Sequence, residues 1–349
     1  ALSSFSSYLP CSPTCPVGPS LPSFLKKIKE NLYQIPSGSY ILLDKDIILP
    51  YGIGVEVEDD VTIELKNGVS FLINGDFSIK GTQKHPVRIR NYKLDKTFGS
   101  IGVLGDGRSI VDINFLEIYG GSEDFINGVH LSGALSLHNH KLVVIQNSNI
   151  HHNTADDGVN IKNANFLVKD NKFHANKADQ IDIDFGIGEV TNNHFAQGSL
   201  IKNFIGVDVL EDSNGDGIDF SGSQVIVDGN IFNGFLDKGM SIGENTKAFI
   251  TENKLENNKS GITAKDESEV YVLDNYFHNN KIDIEMYQKK KIFDHPSLFN
   301  LSQNAERLVI SKTKDSRYFK LNSVLPAKVT EDSASIFYSL EKMNWIEYE

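Results

Sequence analysis

A repeat of 22 residues is the feature of this sequence that most restricts its fold. Short apolar segments recur along the chain, and the intervals between their first inward-facing residues are 24, 22, 37, 22, 22 and 22 residues. These inward residues are Leu135, Val159, Ile181, Ile218, Met240, Ile262 and Ile284. The interval of 37 equals one period plus 15 residues, which predicts an insertion at about 197–212 that leaves the repeat and could form a wall beside it.

A second column of residues has the same period. Asparagines stand two positions before a large apolar residue in five successive repeats, at Asn171, Asn193, Asn230, Asn253 and Asn275. Two columns with one period indicate a solenoid. Val- and Ile-rich segments of alternating polarity, separated by Asn, Gly and Asp, indicate short strands and turns. We therefore predict an all-β fold, a single-stranded right-handed parallel β-helix of about ten coils with a ladder of stacked asparagines.

The repeat resembles the pectate-lyase-like superfamily of right-handed β-helices over residues 40–290. The stretch "GTQKHPVRI" (Gly81–Ile89) is similar to a turn common in early coils of that superfamily. We predict a Pro/Ser-rich lead-in over 1–22 and a β-helix over 23–290. Leu25, Ile28 and Leu32 have helical spacing, which predicts a capping helix over 23–33. The period is lost over 291–349, where we expect a C-terminal cap.

Composition restricts the partners and the location of the chain. The net charge of −12 argues against nucleic acid as the main partner. No apolar run approaches the length of a membrane span. Cys11 and Cys15 are the two cysteines, and their local spacing is compatible with a disulfide in an oxidising compartment. Because the chain begins at Ala1, we expect a mature secreted or trimmed product, located outside the cell, at its surface or in the periplasm.

Outward-facing residues of the stacked coils form two columns that are rich in aspartate. The first contains Ser136, Asn160, Asp182, Asp219, Ser241, Thr263 and Glu285, and the second contains His138, Lys162, Asp184, Ser221, Gly243, Lys265 and Tyr287. The preceding turns supply Asp156, Asp157, Asp179, Asp216, Asp237 and Lys238. Clustered carboxylates require a cation or shared protons, and oxygen ligands favour Ca²⁺. We predict a calcium site formed by Asp182, Asp184, Asp216 and Asp219; the alternative is a solvated acidic face.

The resemblance implies activity on polysaccharides, including β-elimination or epimerisation of uronate polymers. Abstraction of the C5 proton of a uronate needs a base and a positive charge near its carboxylate. No arginine lies between Arg108 and Arg307, so we expect a lysine base. The catalytic candidates are Lys162 first, then Lys265, His138 and Asp182. The substrate-binding candidates are Asp157, Asn160, Ser221, Ser241 and Glu244.

Two other functions remain open at this point. A glycoside hydrolase would use paired aspartates. Asp156–Asp157–Gly158 resembles one motif of pectin-hydrolysing relatives, but their His-Gly and Arg-x-Lys motifs are absent from the chain. A non-catalytic glycan-binding or adhesion domain would need neither a base nor an acid. We expect an enzyme, a lyase or epimerase that acts on an acidic polysaccharide.

Overall fold

The computed structural model describes residues 21–93, 96–198, 215–301, 310–321 and 345–348. Three sequence predictions therefore lie wholly or mostly outside the described residues: the lead-in over 1–22, the pairing of Cys11 with Cys15, and the insertion at about 197–212. The described part of the chain consists of strands and turns and contains no helix. Accordingly, none of its segments is a helix long and apolar enough to span a membrane.

The strands, numbered along the chain, form three long sheets. Sheet A contains β1 (Lys26–Lys29), β2 (Leu32–Ile35), β5 (Gly54–Val57), β8 (Phe77–Lys80), β11 (Ile110–Asn114), β16 (Leu142–Gln146), β19 (Asn165–Lys169), β22 (Ile187–Thr191), β25 (Gln224–Asp228), β28 (Lys247–Thr251), β31 (Glu269–Leu273), β34 (Ser297–Asn300), β36 (Arg317–Leu321) and β37 (Trp345–Tyr348). Sheet B contains β3 (Tyr40–Leu43), β6 (Thr62–Leu65), β9 (Val87–Asn91), β12 (Leu116–Tyr119), β17 (Asn149–His151), β20 (Lys172–His174), β23 (His194–Ala196), β26 (Ile231–Asn233), β29 (Lys254–Glu256) and β32 (Tyr276–His278). Sheet C contains β4 (Ile47–Ile48), β7 (Phe71–Ile73), β10 (Ile101–Leu104), β15 (Gly133–His138), β18 (Asp157–Lys162), β21 (Asp179–Asp184), β24 (Ile218–Ser221), β27 (Lys238–Gly243), β30 (Ser260–Lys265), β33 (Ile282–Tyr287) and β35 (Ile310–Lys312).

Each turn of the chain adds one strand to each sheet, so the three sheets form the walls of a right-handed parallel β-helix. Sheet B has ten strands among the described residues, which correspond to ten coils. Parallel pairing places Ile183 beside Ile161 on one side and Phe220 on the other, and all three are fully buried. The predicted fold and coil number are therefore confirmed.

Two internal stacks explain why the repeat folds in this way. The rings of Phe173, Phe195 and Phe232 stack with centroids 4.9 and 4.7 Å apart. The predicted asparagine ladder is also confirmed, since Nδ2 of each asparagine donates to Oδ1 of the next at 2.9–3.0 Å from Asn171 to Asn275. The same Nδ2 atoms donate to strand carbonyls, so each ladder residue satisfies buried backbone groups at a turn.

The predicted capping helix over 23–33 is wrong. β1 and β2 pair with each other antiparallel, and Asn31 turns the chain between them with a φ of 59°. β2 in turn pairs in parallel with β5, the next strand of sheet A. Three apolar residues over so short a segment give a helix little intrinsic stability. The edge of sheet A instead offers unpaired backbone groups that a strand can bond.

The far end of the solenoid also continues the sheets. Beyond residue 290, β34 and β36 extend sheet A in parallel, and β37 closes it by pairing antiparallel with β36. β35 extends sheet C beside β33.

A β-hairpin interrupts the solenoid between β12 and β15. Its strands are β13 (Asp124–Ile126) and β14 (Val129–Leu131), joined by Asn127 and Gly128, which both have positive φ angles. Ile126 and Leu131 pack on Leu72 of β7. The hairpin therefore covers the first part of the outer face of sheet C.

Candidate functional site

The outer face of sheet C carries six aspartates in three neighbouring coils. Strand register pairs Asp157 with Asp179, Asp182 with Asp219, and Asp184 with Lys162 and Ser221. Asp216 follows Asp179 in the stack, since its backbone N–H donates to Asp179 Oδ1 at 2.7 Å. We call this cluster the acidic face; its members are Asp157, Asp179, Asp182, Asp184, Asp216 and Asp219.

A row of hydrogen bonds crosses the first coils of the acidic face. Asn160 Nδ2 donates to Asp182 Oδ2 at 3.0 Å, which leaves Asn160 Oδ1 as the acceptor for His138 Nε2 at 2.7 Å. His138 therefore carries its proton on Nε2 in this arrangement. Burial lowers the pKa of His138 below its usual value, so the imidazole is neutral near pH 7. The row fixes the position of Asp182.

The two lysines predicted as bases differ in accessibility. Lys162 Nζ donates to Asp184 Oδ2 at 3.0 Å, and its side chain is 42% exposed. The Lys265 side chain is 6% exposed, with Nζ 3.7 Å from Asp219 Oδ1. A polymer on the outside of the coil can reach Lys162, whereas Lys265 acts as a buried counter-charge to the aspartates.

Burial raises the pKa values of four aspartates of the acidic face. The pKa values of Asp157, Asp179 and Asp182 lie well above their usual range, because burial and the neighbouring carboxylates both disfavour the charged form. Burial raises the pKa of Asp216 to about 6, although Lys238 opposes the shift with Nζ 3.2 Å from Asp216 Oδ1. Burial and mutual repulsion therefore favour the protonated forms of these carboxyls.

Three of these carboxylates converge closely enough to share one cation. Oxygens of Asp179, Asp216 and Asp219 all lie within 4.8 Å of one another. Calcium–oxygen distances of about 2.3–2.6 Å fit such a triangle, and an all-oxygen set suits a hard cation. Of the predicted ligands, Asp216 and Asp219 belong to this group, whereas Asp182 and Asp184 are engaged by Asn160 and Lys162.

Asp179 is not among the predicted ligands. The sequence predicts a turn at this residue, whereas in the structure Asp179 is the first residue of β21. The signal was present, because Asp179 stands 22 residues after Asp157 and 37 before Asp216, the same intervals as the inward column.

The remaining predicted substrate-binding residues occupy different environments. Ser241, Asp157 and Asn160 are buried, so a large ligand does not reach them in this conformation. Ser221 is half-buried beside Asp184. Glu244 accepts a hydrogen bond from Lys290, which belongs to the segment after β33. The accessible part of the acidic face is therefore centred on Lys162, Asp184 and Ser221.

The stacked coils and their acidic outer face define a protein of the right-handed parallel β-helix class. Residues 127–295 match the family described as "right handed beta helix region", and this segment contains the whole acidic face. The sequence itself matches no curated protein.

Solved structures resemble this chain over most of its length. A mutant of the periplasmic alginate epimerase AlgG superposes with a TM-score of 0.51 at 13% identity, over 83% of this chain and 79% of that one. A double mutant of AlgG gives a TM-score of 0.51 at 12% identity, with the same coverage. The A-module of the mannuronan C-5 epimerase AlgE6 from Azotobacter vinelandii gives 0.45 at 11% identity, over 83% of this chain and 92% of that one. At identities this low, the two AlgG structures show a common fold and nothing more.

Proposed function

We propose that this protein acts on an acidic polysaccharide by abstracting the C5 proton of a uronate unit, as an epimerase or a lyase. The observation that carries the proposal is the Lys162–Asp184 pair, which stands at the accessible border of a buried carboxyl cluster. Solved structures with the same fold include an alginate epimerase, and epimerisation agrees with this chemistry.

Charge neutralisation is the first requirement of the proposed reaction. A C5 proton becomes acidic only when the adjacent carboxylate is neutralised. An ionised acidic face would repel a polyanion, so the face must hold protons or a cation while substrate is bound. Protonated Asp182, which is half-buried, could donate a hydrogen bond to the uronate. Ca²⁺ held by Asp179, Asp216 and Asp219 would supply positive charge at the same place.

Proton transfer is the second requirement, and Lys162 is our leading base. Lys162 must first release Asp184 and lose its ammonium proton to solvent, because only the neutral amine has an electron pair that can accept the C5 proton. Asp184 would then stabilise the ammonium that forms. Return of a proton to the opposite face of the sugar gives epimerisation, whereas loss of the C4 substituent gives β-elimination; both begin with the same abstraction.

Two products report the abstraction: deuterium at C5 reports epimerisation, and an unsaturated product, which has no hydrogen at C5, reports β-elimination. The protein is incubated in D₂O with alginate or with pectate, and deuterium at C5 is measured by NMR together with the absorbance of unsaturated products. Lys162→Ala should reduce incorporation by about a hundredfold or more, the usual contribution of a general base. The matched control is Lys172→Ala, an exposed lysine on sheet B. Absence of both deuterium at C5 and unsaturated product with both polymers, or full activity of Lys162→Ala, would contradict the proposal.

A glycoside hydrolase is the second candidate, and one observation favours it. Burial, and after it the charge of Asp157, raises the pKa of Asp182, and a carboxyl kept protonated beside a second carboxyl is what a general acid requires. This reaction releases reducing ends without deuterium at C5. Binding with neither product would identify a glycan-binding domain.

We infer an extracytoplasmic location from the same reasoning. AlgG, which has this fold, is described as periplasmic. Fractionation of source cells, with immunodetection of the chain in periplasm or medium, tests the inference; recovery only in the cytoplasmic fraction would contradict it.

A further inference from the structure

One turn beside the acidic face departs from the pattern of its neighbours. In six successive coils, from β15 to β30, the residue that directly follows the strand of sheet C has a φ angle between 52° and 61°. These residues are Asn139, Asn163, Phe185, Gly222, Glu244 and Asp266. Left-handed backbone suits glycine and asparagine, and it is strained for a bulky side chain. Phe185 is the one aromatic residue of the six.

The ring of Phe185 lies next to the proposed reacting groups. Phe185 follows Asp184 directly, and Lys162 Nζ lies 6.0 Å from its ring centroid. On the opposite side the ring occupies space above Gly222, where an added Cβ would lie 2.6 Å from Phe185 Cδ1. Glycine in the next coil therefore makes room for the ring. The side chain is nevertheless 56% exposed.

The left-handed backbone at Phe185 destabilises the fold, and burial of the exposed ring does not offset that cost. Phe115 has a similar φ of 53° at another turn, but it is half-buried, so packing offsets part of its strain. Strained residues without a packing reason concentrate at ligand sites. An exposed aromatic ring beside polar groups is suited to the apolar C–H face of a sugar ring.

We propose that Phe185 is a stacking platform for a sugar unit of the bound polymer. Its ring would hold the unit next to the one whose C5 faces Lys162, which makes Phe185 a positioning residue. The reaction part of this inference rests on the proposed function; the binding part requires only that the acidic face takes a polysaccharide.

Replacing Phe185 by asparagine, the residue at the equivalent position in the two preceding coils, separates an effect on ligand binding from an effect on folding. Phe185→Asn should leave the melting temperature unchanged or higher, because asparagine relieves the backbone strain. Its Kd for alginate hexasaccharide should rise about tenfold or more, and Phe185→Trp should restore binding. KM in the deuterium-exchange assay should rise more than kcat falls. Tyr276→Asn is the matched control, since Tyr276 is 54% exposed on sheet B and should leave Kd unchanged.

The outcomes distinguish this inference from the proposed function. Wild type that binds the hexasaccharide without turnover would refute the C5 chemistry, and the Kd series would still decide the role of Phe185. Equal Kd values for wild type and Phe185→Asn would overturn the platform, as would a melting temperature that falls while Kd rises. A wild-type protein that binds neither alginate nor pectate oligosaccharides would overturn both.

Discussion

The asparagine ladder allows a quantitative test of what holds the coils together. Asn193 is buried, and its Oδ1 accepts from Asn171 through both the backbone N–H at 2.9 Å and Nδ2 at 3.0 Å. Replacement by alanine removes this acceptor. Asn171 Nδ2 keeps its bond to the Ile145 carbonyl, but one of its hydrogens and the backbone N–H lose their partner.

Two buried donors without a partner set the expected magnitude. Each costs about 1–3 kcal/mol, so Asn193→Ala should lower the free energy of unfolding by about 2–6 kcal/mol. Asn230 contributes little to this sum, because its Oδ1 still accepts from the backbone N–H of residue 193 at 2.8 Å. The loss is a large fraction of the stability of an ordinary domain.

Urea unfolding followed by far-ultraviolet circular dichroism measures this loss. Asn275→Ala is the control, because Asn275 has the same role at the partly exposed end of the ladder, where water can replace the missing acceptor. Its cost should stay near or below about 1 kcal/mol. Equal losses for the two variants, or a loss below about 1 kcal/mol for Asn193→Ala, would refute the argument that buried ladder donors dominate.

Three further predictions concern the core, the metal and pH. Ile183→Asp should prevent folding, because an unpaired charge would enter the fully buried core, whereas Ile187→Asp at an exposed position should fold; circular dichroism decides. Calorimetry should detect Ca²⁺ binding to the wild type, and the affinity should fall at least about tenfold in Asp219→Asn. The exposed control Asp112→Asn should keep the wild-type affinity. No heat of binding with the wild type would contradict the calcium site. Burial lowers the pKa of His174 from 6.5 in the unfolded chain to about 4 in the folded protein. Folding therefore favours the neutral imidazole, and the stability present above pH 6.5 is lost as the pH falls toward 4. In His174→Phe, the fall in the free energy of unfolding between pH 6.5 and pH 4 should be smaller by about 1–2 kcal/mol, after allowance for the partial exposure of His174. The same pH dependence of stability in wild type and variant would contradict this role of His174.

Periodicity predicted most of the fold because a stacked coil repeats one environment. The alternation around Ile183 specified which side chains enter the core, and a slip of one residue would have placed charges there. The ladder followed from the same spacing. The helix predicted at 23–33 is absent because local spacing does not decide this conformation; the strand that pairs with β2, β5, lies about 20 residues further along the chain.

The site was predicted only in part. The columns of aspartates followed from the repeat, but which carboxylates converge depends on how each side chain is engaged. Lys162 donates a hydrogen bond to Asp184, and Asn160 donates one to Asp182; neither spacing nor composition specifies these partners. The β13–β14 hairpin lies outside the 22-residue period and does not follow from it, although Asn127–Gly128 between apolar residues is a strong hairpin signal.

The antiparallel strand at the start of sheet A has a consequence for self-association. Parallel solenoids end in open strand edges, and two such edges can join into fibres. Among the described residues, the strand at this edge is β1, which reads Lys26, Lys27, Ile28, Lys29, and all four residues are exposed. A second molecule that docked on this edge would bring two rows of ammonium groups within a strand spacing of each other. The repulsion would keep concentrated protein from joining end to end at this edge, and added salt should weaken that protection.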